Sequence, residues 1–284
     1  MFTNAKPSEL IDVVAAIDPD AYSAAAVSSG YADLSDYEAL LAVGLVGDMV
    51  TNATFNLKLQ SAVAAAGGAD VTGKAITALT KAGSDDNKQA LINLRRSEVD
   101  EGHRYVKMVR TLGTAGADSA SLLLGLKGSL VANCLPSEMV GLVSCIDPDA
   151  YAPAAAIDGD VIDMSDWHCL MAVLMIGDLG TAGTVSLKFQ EAATSGGAYT
   201  DISGAATATY DQTDSPNPSN QQIKLDLRAE QLGDGKRFVK PVLTVTDETS
   251  PENATSDVAV AIFGVFPKVG VASAVDLASV DEIV

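Results

Sequence analysis

Residues 54–62 read TFNLKLQSA, and residues 184–192 read TVSLKFQEA. In the first stretch Phe55, Leu57 and Leu59 alternate with Asn56, Lys58 and Gln60. A period of two puts apolar side chains on one face of an extended strand and polar ones on the other. A helix would instead bring its apolar positions round every three or four residues. The second stretch keeps the same pattern, which predicts a second, equivalent strand.

The match runs through nearly the whole chain. Pro7-Ser8-Glu9 returns as Pro136-Ser137-Glu138, and IDPDAY stands at both 17–22 and 146–151. DLSDYEALLAVGLVGD (33–48) answers to DMSDWHCLMAVLMIGD (163–178), and DVTGKA (70–75) to DISGAA (201–206). LRRSEVDEGHRYVKMVRTL (94–112) aligns without a gap on LRAEQLGDGKRFVKPVLTV (227–245), with 8 of 19 positions identical. LLLGLK (122–127) resembles AIFGVFPK (261–268). The chain is a tandem duplication, and copies of about 130 residues are domain-sized, unlike the short units of solenoids. Domains are expected at 1–130 and 131–284, with a linker near Gly128 to Pro136. The C-terminal PKVGVASAVDLASVDEIV has no counterpart in the first copy.

ALLAVGLVG and LMAVLMIG are continuous apolar runs bounded by Asp and Gly, as expected of strands buried on both faces. Their alanine and leucine would also suit a short buried helix, but Gly44 and the valines favour strand. Five to seven strands per copy, separated by Gly, Asp and Ser turns, predict an all-β fold of two tandem antiparallel β-sandwich domains. A short N-terminal segment and a C-terminal tail flank them. Pro241 replaces Met108 in one matched strand, which predicts a sheet edge there because proline has no N–H for a ladder. PSELIDVVAAI fits either one helical turn or an entry strand.

The 284 residues carry a formal net charge of −19 and a pI near 4.2, yet only 19% are charged. That is too apolar for a disordered acidic tail, and an anionic surface disfavours nucleic acid. No run approaches the ~18 apolar residues that span a bilayer. The opening MFTNAKPSEL lacks the basic start and apolar centre of a signal peptide, so synthesis in a reducing cytosol is expected. Cys134, Cys145 and Cys169 are odd in number and show no metal spacing, which predicts buried free thiols. Charge is unevenly shared: the first 130 residues hold 11 Lys and Arg against 15 Asp and Glu, the remainder 7 against 22. A near-neutral first domain that docks and an acidic second one that projects into solvent would fit this split.

Candidate chemistry is sparse. GADVTGKA (68–75) nearly fits a phosphate loop, but Ala75 stands where a hydroxyl must reach magnesium, and the second copy lacks the lysine as well. His103 and His168, the only histidines, sit at non-equivalent repeat positions without convergent partners. Asp158, Asp160, Asp163 and Asp166 are spaced closely enough for calcium, but the EF-hand arrangement is missing and ordinary turns explain them better. No cofactor, metal or catalytic constellation is expected. The shared element Gly-x-Arg-aromatic-Val-Lys is more informative. It places Arg104 and Lys107, with their counterparts Arg237 and Lys240, as partner-contact candidates, the cations expected on one strand face and the aromatic on the other.

Several of these stretches resemble small virion proteins encoded among the head genes of tailed bacteriophages. The carriers are DLSDY, TFNLKLQ and GHRYVK in the first copy, and DMSDW, TVSLKFQEA, GDGKRFVK and FGVFPK in the second. Ser35 and Ser165 stand where such proteins commonly have glycine, and the duplication and the DEIV tail are departures. The resemblance implies a non-enzymatic decoration or cement protein on the capsid exterior. Its expected partners are the major capsid protein and further copies of itself, threefold assembly giving a trimer of six sandwiches. A head–tail connector or tail component, and a glycan-binding β-sandwich on the particle surface, are the alternatives.

Overall fold

The computed structural model describes residues 6–81, 86–113, 116–127, 135–151, 155–247, 256–268, 270 and 278–284. The first copy runs α1 (Pro7–Leu10), β1 (Ile11–Tyr22), β2 (Ala26–Ser28), β3 (Ala32–Asp33), β4 (Ala39–Met49), β5 (Thr54–Ala62), β6 (Ala69–Ala75), β7 (Leu79–Thr80), β8 (Lys88–Arg95), β9 (Tyr105–Gly113) and β10 (Ala117–Leu126). The second runs α2 (Pro136–Met139), β11 (Val140–Tyr151), β12 (Ala155–Asp158), β13 (Ile162–Asp163), β14 (Trp167–Ile176), β15 (Gly183–Ala192), β16 (Thr200–Ala206), β17 (Tyr210–Asp211), β18 (Gln221–Arg228), β19 (Phe238–Asp247) and β20 (Ser256–Pro267). A last strand, β21 (Val280–Ile283), ends the chain. Leaving aside the segments of two to four residues, each copy has seven long strands among the described residues, as its sequence predicts.

The strands of each copy form two sheets that face one another. In the first copy the orders are β1-β10-β4-β8-β21 and β2-β9-β5-β6, and in the second β11-β20-β14-β18 and β12-β19-β15-β16. Alternation decides which side chains meet between the sheets. In the first copy Leu40, Ala42, Ile92, Leu94 and Leu123 from one sheet pack with Phe55, Leu57, Leu59, Val106 and Met108 from the other. In the second, Leu170, Leu174, Val260 and Ile262 meet Leu187, Phe189, Val239 and Leu243. The two copies thus build separate apolar interiors.

The continuous apolar runs are strands. In β4 the core-facing Leu40 and Ala42 alternate with Leu41, Val43 and Leu45, and all five are fully buried, so the strand is apolar on both faces. Gly44 is required by packing: a Cβ there would come within 2.9 Å of the Phe55 ring. The ambiguous opening resolves as both readings in turn. Pro7 opens a single helical turn, where its missing N–H is not needed, and β-branched Ile11, Val13 and Val14 carry the chain on as β1.

Pro241 corrects an expectation. Its strand β19 is internal, flanked by β15 on one side and by β12 and β13 on the other. The proline sits opposite the break between those two short strands, after Asp158↔Val242 and before Ile162↔Val239. In the first copy the equivalent Met108 N–H donates to the Ser29 hydroxyl at 3.0 Å. Gly159 stands in the place of Ser29, so the donor and its acceptor are lost together. Loss of the serine alone would leave the Met108 N–H buried without a partner, whereas the Ser29 hydroxyl also donates to Gly30 O at 2.8 Å.

The compact units do not coincide with 1–130 and 131–284 at their ends. One comprises Glu9–Met139 with Ala278–Val284, the other Val140–Leu277 with Met1–Ser8. The linker proposed near Gly128 to Pro136 falls largely outside the described residues. In the first unit β21 pairs in parallel with β8, Ile283 opposite Leu91, and Asn93 N–H donates to Val284 O at 2.7 Å. The tail without a counterpart is therefore a fifth strand. The Pro-Ser-Glu turns have equivalent anchors: Ser137 N–H donates to Asn93 Oδ1 at 2.8 Å in the first unit, and Ser8 N–H to Asp226 Oδ1 at 3.0 Å in the second. Asn93 and Asp226 are matched positions, so each turn ties down the sheet of the copy it does not precede.

Candidate partner-contact surface

The Gly-x-Arg-aromatic-Val-Lys element lies at the entrance to β9 and β19. Gly102 and Gly235 take φ of 83° and 73°, the left-handed turn that glycine permits without strain. The strand faces correct the expected arrangement. Residues two apart share a face, so Tyr105 and Lys107 point outward together while Val106 and Met108 enter the core. Arg104 precedes the strand and is exposed, its guanidinium 5.6 Å from the Tyr105 ring centre.

Each arginine is held by the repeated Asp-x-Ser-Asp segment. Arg104 Nε donates to Asp33 Oδ1 at 2.6 Å and its Nη2 to the Ser35 hydroxyl at 3.1 Å. Arg237 Nε donates to Asp163 Oδ1 at 2.7 Å and its Nη2 to Ser165 Oγ at 3.0 Å. Each aspartate also accepts the backbone N–H two residues on, from Ser35 at 2.9 Å and Ser165 at 2.8 Å. This is an Asx turn clamped by a bidentate guanidinium. The two motifs carrying the sequence resemblance are thus two halves of one structural tie. Their joint recurrence in both copies was the signal that could have paired them.

The clamp depresses both carboxyls. Hydrogen bonds from Arg104 hold Asp33 well below the ordinary aspartate range, and those from Arg237 bring Asp163 down to about 2. A lowered folded pKa gives stability that is complete above the unfolded value of 3.8 and is lost as pH falls through about 2. Asp163→Asn is expected to lower the urea midpoint at pH 7 only slightly, because so exposed a pair is screened by water. It should also reduce the gap between pH 7 and pH 2. A gap of unchanged size in the variant would show that the clamp contributes nothing.

Beside the clamp lies an aromatic–lysine patch, built twice from different residues. In the first unit Lys107 Nζ stands 5.2 Å from the Tyr31 ring centre, and Tyr31 meets Tyr105 edge-on at 6.4 Å and 90°. In the second, Lys240 Nζ stands 4.9 Å from the Tyr199 ring and donates to Asp158 at 2.6 Å. Tyr31 and Tyr199 are not repeat equivalents: Val161 matches the former and Gly68 the latter. Tyr199 reaches the lysine from the β15–β16 hairpin. Tyr31 reaches its own from the β2–β3 link and donates its hydroxyl to Gly67 O on the corresponding β5–β6 hairpin. A ladder continues the surface in both copies, Lys58 and Gln60 on Asp70 at 2.8 and 2.7 Å, Lys188 and Gln190 on Asp201 at 2.9 and 2.7 Å.

All four candidate cations are therefore engaged within the chain, three by carboxylates and Lys107 by the Tyr31 ring. What remains exposed is aromatic edge and neutralised charge, closer to the composition of an interface centre than to a free basic patch.

The other candidates resolve structurally. GADVTGKA is the β5–β6 hairpin and strand β6, and Lys74 pairs with Glu98 at 2.9 Å. His103 Nδ1 lies 2.7 Å from Ser61 Oγ, but Ser61 is buried. At the matched position Glu191 accepts the Gly233 N–H at 2.9 Å. Both contacts pin the loop leading into β9 or β19, so the serine–histidine contact is a loop tie. Asp158 and Asp163 are taken by Lys240 and Arg237. No group of three or more His, Cys, Asp or Glu among the described residues is placed to hold a metal ion. Cys145 and Cys169 are buried free thiols, burial pushing Cys169 up to about 12. Cys134 lies outside the described residues. No described helix is long and apolar enough to cross a membrane.

No protein-family model and no curated protein sequence matches the chain. Among solved structures, the PBSX exported protein XepA overlaps 91% of this chain and 88% of its own at 10% identity and a TM-score of 0.32. PNGase F, a glycosylasparaginase from Flavobacterium meningosepticum, overlaps 89% and 95% at 10% identity and TM-score 0.34. A Broad Bean Stain Virus structure overlaps 99% and 96% at 8% identity and TM-score 0.33. Overlaps this loose say nothing of what the present chain does.

Proposed function

We propose that this is a non-enzymatic structural protein of a bacteriophage virion, a decoration or cement protein on the capsid exterior. It binds the major capsid protein, self-associates, and stabilises the shell by burying surface across neighbouring subunits. The observation that carries the reading is the aromatic–lysine patch, kept in both sandwiches although its tyrosine comes from different chain positions. A surface rebuilt from new residues is a surface with a use. The sequence resemblance to head-region virion proteins supplies the setting. Repeated across many copies, modest interfaces suffice, since avidity multiplies contacts of ordinary size.

The perpendicular rings of Tyr31 and Tyr105 present no flat platform, which favours a protein partner over a glycan. The charge split alone does not separate a docking from a projecting domain, because each unit displays the patch.

Copy number tests the role. Purified particles are expected to carry hundreds of copies over the shell; a few copies at one vertex would make the protein a connector or tail component. The face is tested separately by Tyr105→Ala with Phe238→Ala. Both side chains are only half-buried, so folding should hold while occupancy on particles falls more than about tenfold, on the scale of interface hot spots. Unchanged occupancy would remove the patch from the interface. Truncation after residue 139 is a poor substitute, since it deletes β21 from the first unit.

A further inference from the structure

Three core positions differ in kind between the copies. Arg110 lies opposite Leu57 on β5, as Leu243 lies opposite Leu187 on β15. Ser119 and Ser121 on β10 face Val46 and Gly44, as Val258 and Val260 on β20 face Ile176 and Leu174. In the second unit all three residues belong to the apolar core. In the first they are a cation and two hydroxyls, all 0% exposed. The sister sandwich shows that the fold closes without them.

The guanidinium is only partly satisfied. Nη1 donates to Ser119 O at 3.1 Å, and the Tyr22 ring lies against its face with the ring centre 3.7 Å away. Nε and Nη2 have no hydrogen-bond partner, and neither does Ser121 Oγ. The carboxylate whose field reaches the group, Asp20, is on an exposed position of β1 and makes no hydrogen bond to it. A buried arginine remains charged, and burying a charge without a counterpart is strongly unfavourable.

We infer that Arg110, with Ser121, is the receptor for a small anion of halide size held inside the first sandwich. An anion accepts from every N–H and O–H offered and compensates the charge. A water molecule could also bridge these donors, but it would leave the buried positive charge uncompensated. Tyr22, half-buried at the end of β1, closes the site on the outer side. Arg and two Ser, where the other core has Leu and two Val, put a charge and two hydroxyls into the layer.

Bromide is the probe. Crystals of the intact protein grown in bromide are expected to show an anomalous peak at Nε and Nη2 of Arg110. In solution, replacing gluconate by chloride at constant ionic strength should raise the urea midpoint. Above saturation each tenfold rise in chloride should multiply the folding constant about tenfold. The triple variant Arg110→Leu, Ser119→Val, Ser121→Val copies the second core, so it should fold and lose the chloride dependence. A water in place of bromide, or equal chloride dependence in the triple variant, overturns the assignment.

Discussion

Gly264→Ala destabilises the second sandwich by about 3–5 kcal/mol, the range for lost or displaced large core side chains. Gly264 sits on β20 against Trp167, and a Cβ built on it would come within 2.2 Å of the indole ring. Trp167 is 2% exposed and part of the core, so it has no room to step aside. The first copy keeps the same pairing of glycine and aromatic, with a Cβ on Gly125 2.5 Å from the Tyr37 ring. There the ring is half-buried and its hydroxyl donates to Asp12 at 3.2 Å, so it can tilt outward. Gly125→Ala should therefore cost less, about 1–3 kcal/mol. Urea unfolding followed by fluorescence of Trp167, the single tryptophan, measures the first effect; equal losses in both variants would show that burial of the ring does not set the cost.

Asn93→Ala is expected to destabilise the first sandwich by about 2–3 kcal/mol. Asn93 is 1% exposed, and its Oδ1 is the acceptor for the N–H of Ser137, itself 1% exposed. Alanine leaves that donor buried without a partner and also removes the Nδ2 contact to Val284 O at 3.3 Å. Deleting 278–284 acts on the same place from the other side. It strips the β8 edge of its parallel strand and exposes a row of backbone groups that can pair with another chain. Far-UV circular dichroism should show an earlier transition in both variants, with Trp167 fluorescence moving less because that residue belongs to the other unit. Light scattering should show association for the deletion alone. A tail deletion as stable and monomeric as the full chain would mean that β21 is dispensable.

Asp226 occupies the matched place in the second sandwich but is only half-buried. Its loss should cost less than that of Asn93, for the reason that separates Gly125 from Gly264. In a duplicated fold, the same contact is worth more where water is excluded.

Much of the architecture was legible in residue order. The alternation in TFNLKLQSA, the doubly buried runs of β4 and β14 and the long-strand count all follow from local periodicity, which a strand imposes on its own residues. The site was legible only in part. Arg104, Lys107, Arg237 and Lys240 were singled out, but residues three apart on a strand cannot share a face: Lys107 and Lys240 stand over Tyr31 and Tyr199, while Arg104 and Arg237 are clamped to aspartates beside Tyr105 and Phe238. Asp33 and Asp163, the partners of the arginines, lie about 70 residues earlier in the chain, where composition suggested ordinary turns. Pro241 misled because a missing N–H marks a sheet edge only when no neighbouring strand is interrupted.

By itself the sequence determined two all-strand sandwiches with separate interiors, since side-chain period and duplication are properties of neighbours along the chain. Tertiary structure alone decided that β21 completes the first sheet, that each Pro-Ser-Glu turn serves the other copy, and that Arg110 stands inside an apolar layer. Those outcomes depend on hydrogen bonds and burial between residues up to about 200 positions apart, and no local pattern encodes which distant partner will satisfy a buried polar group.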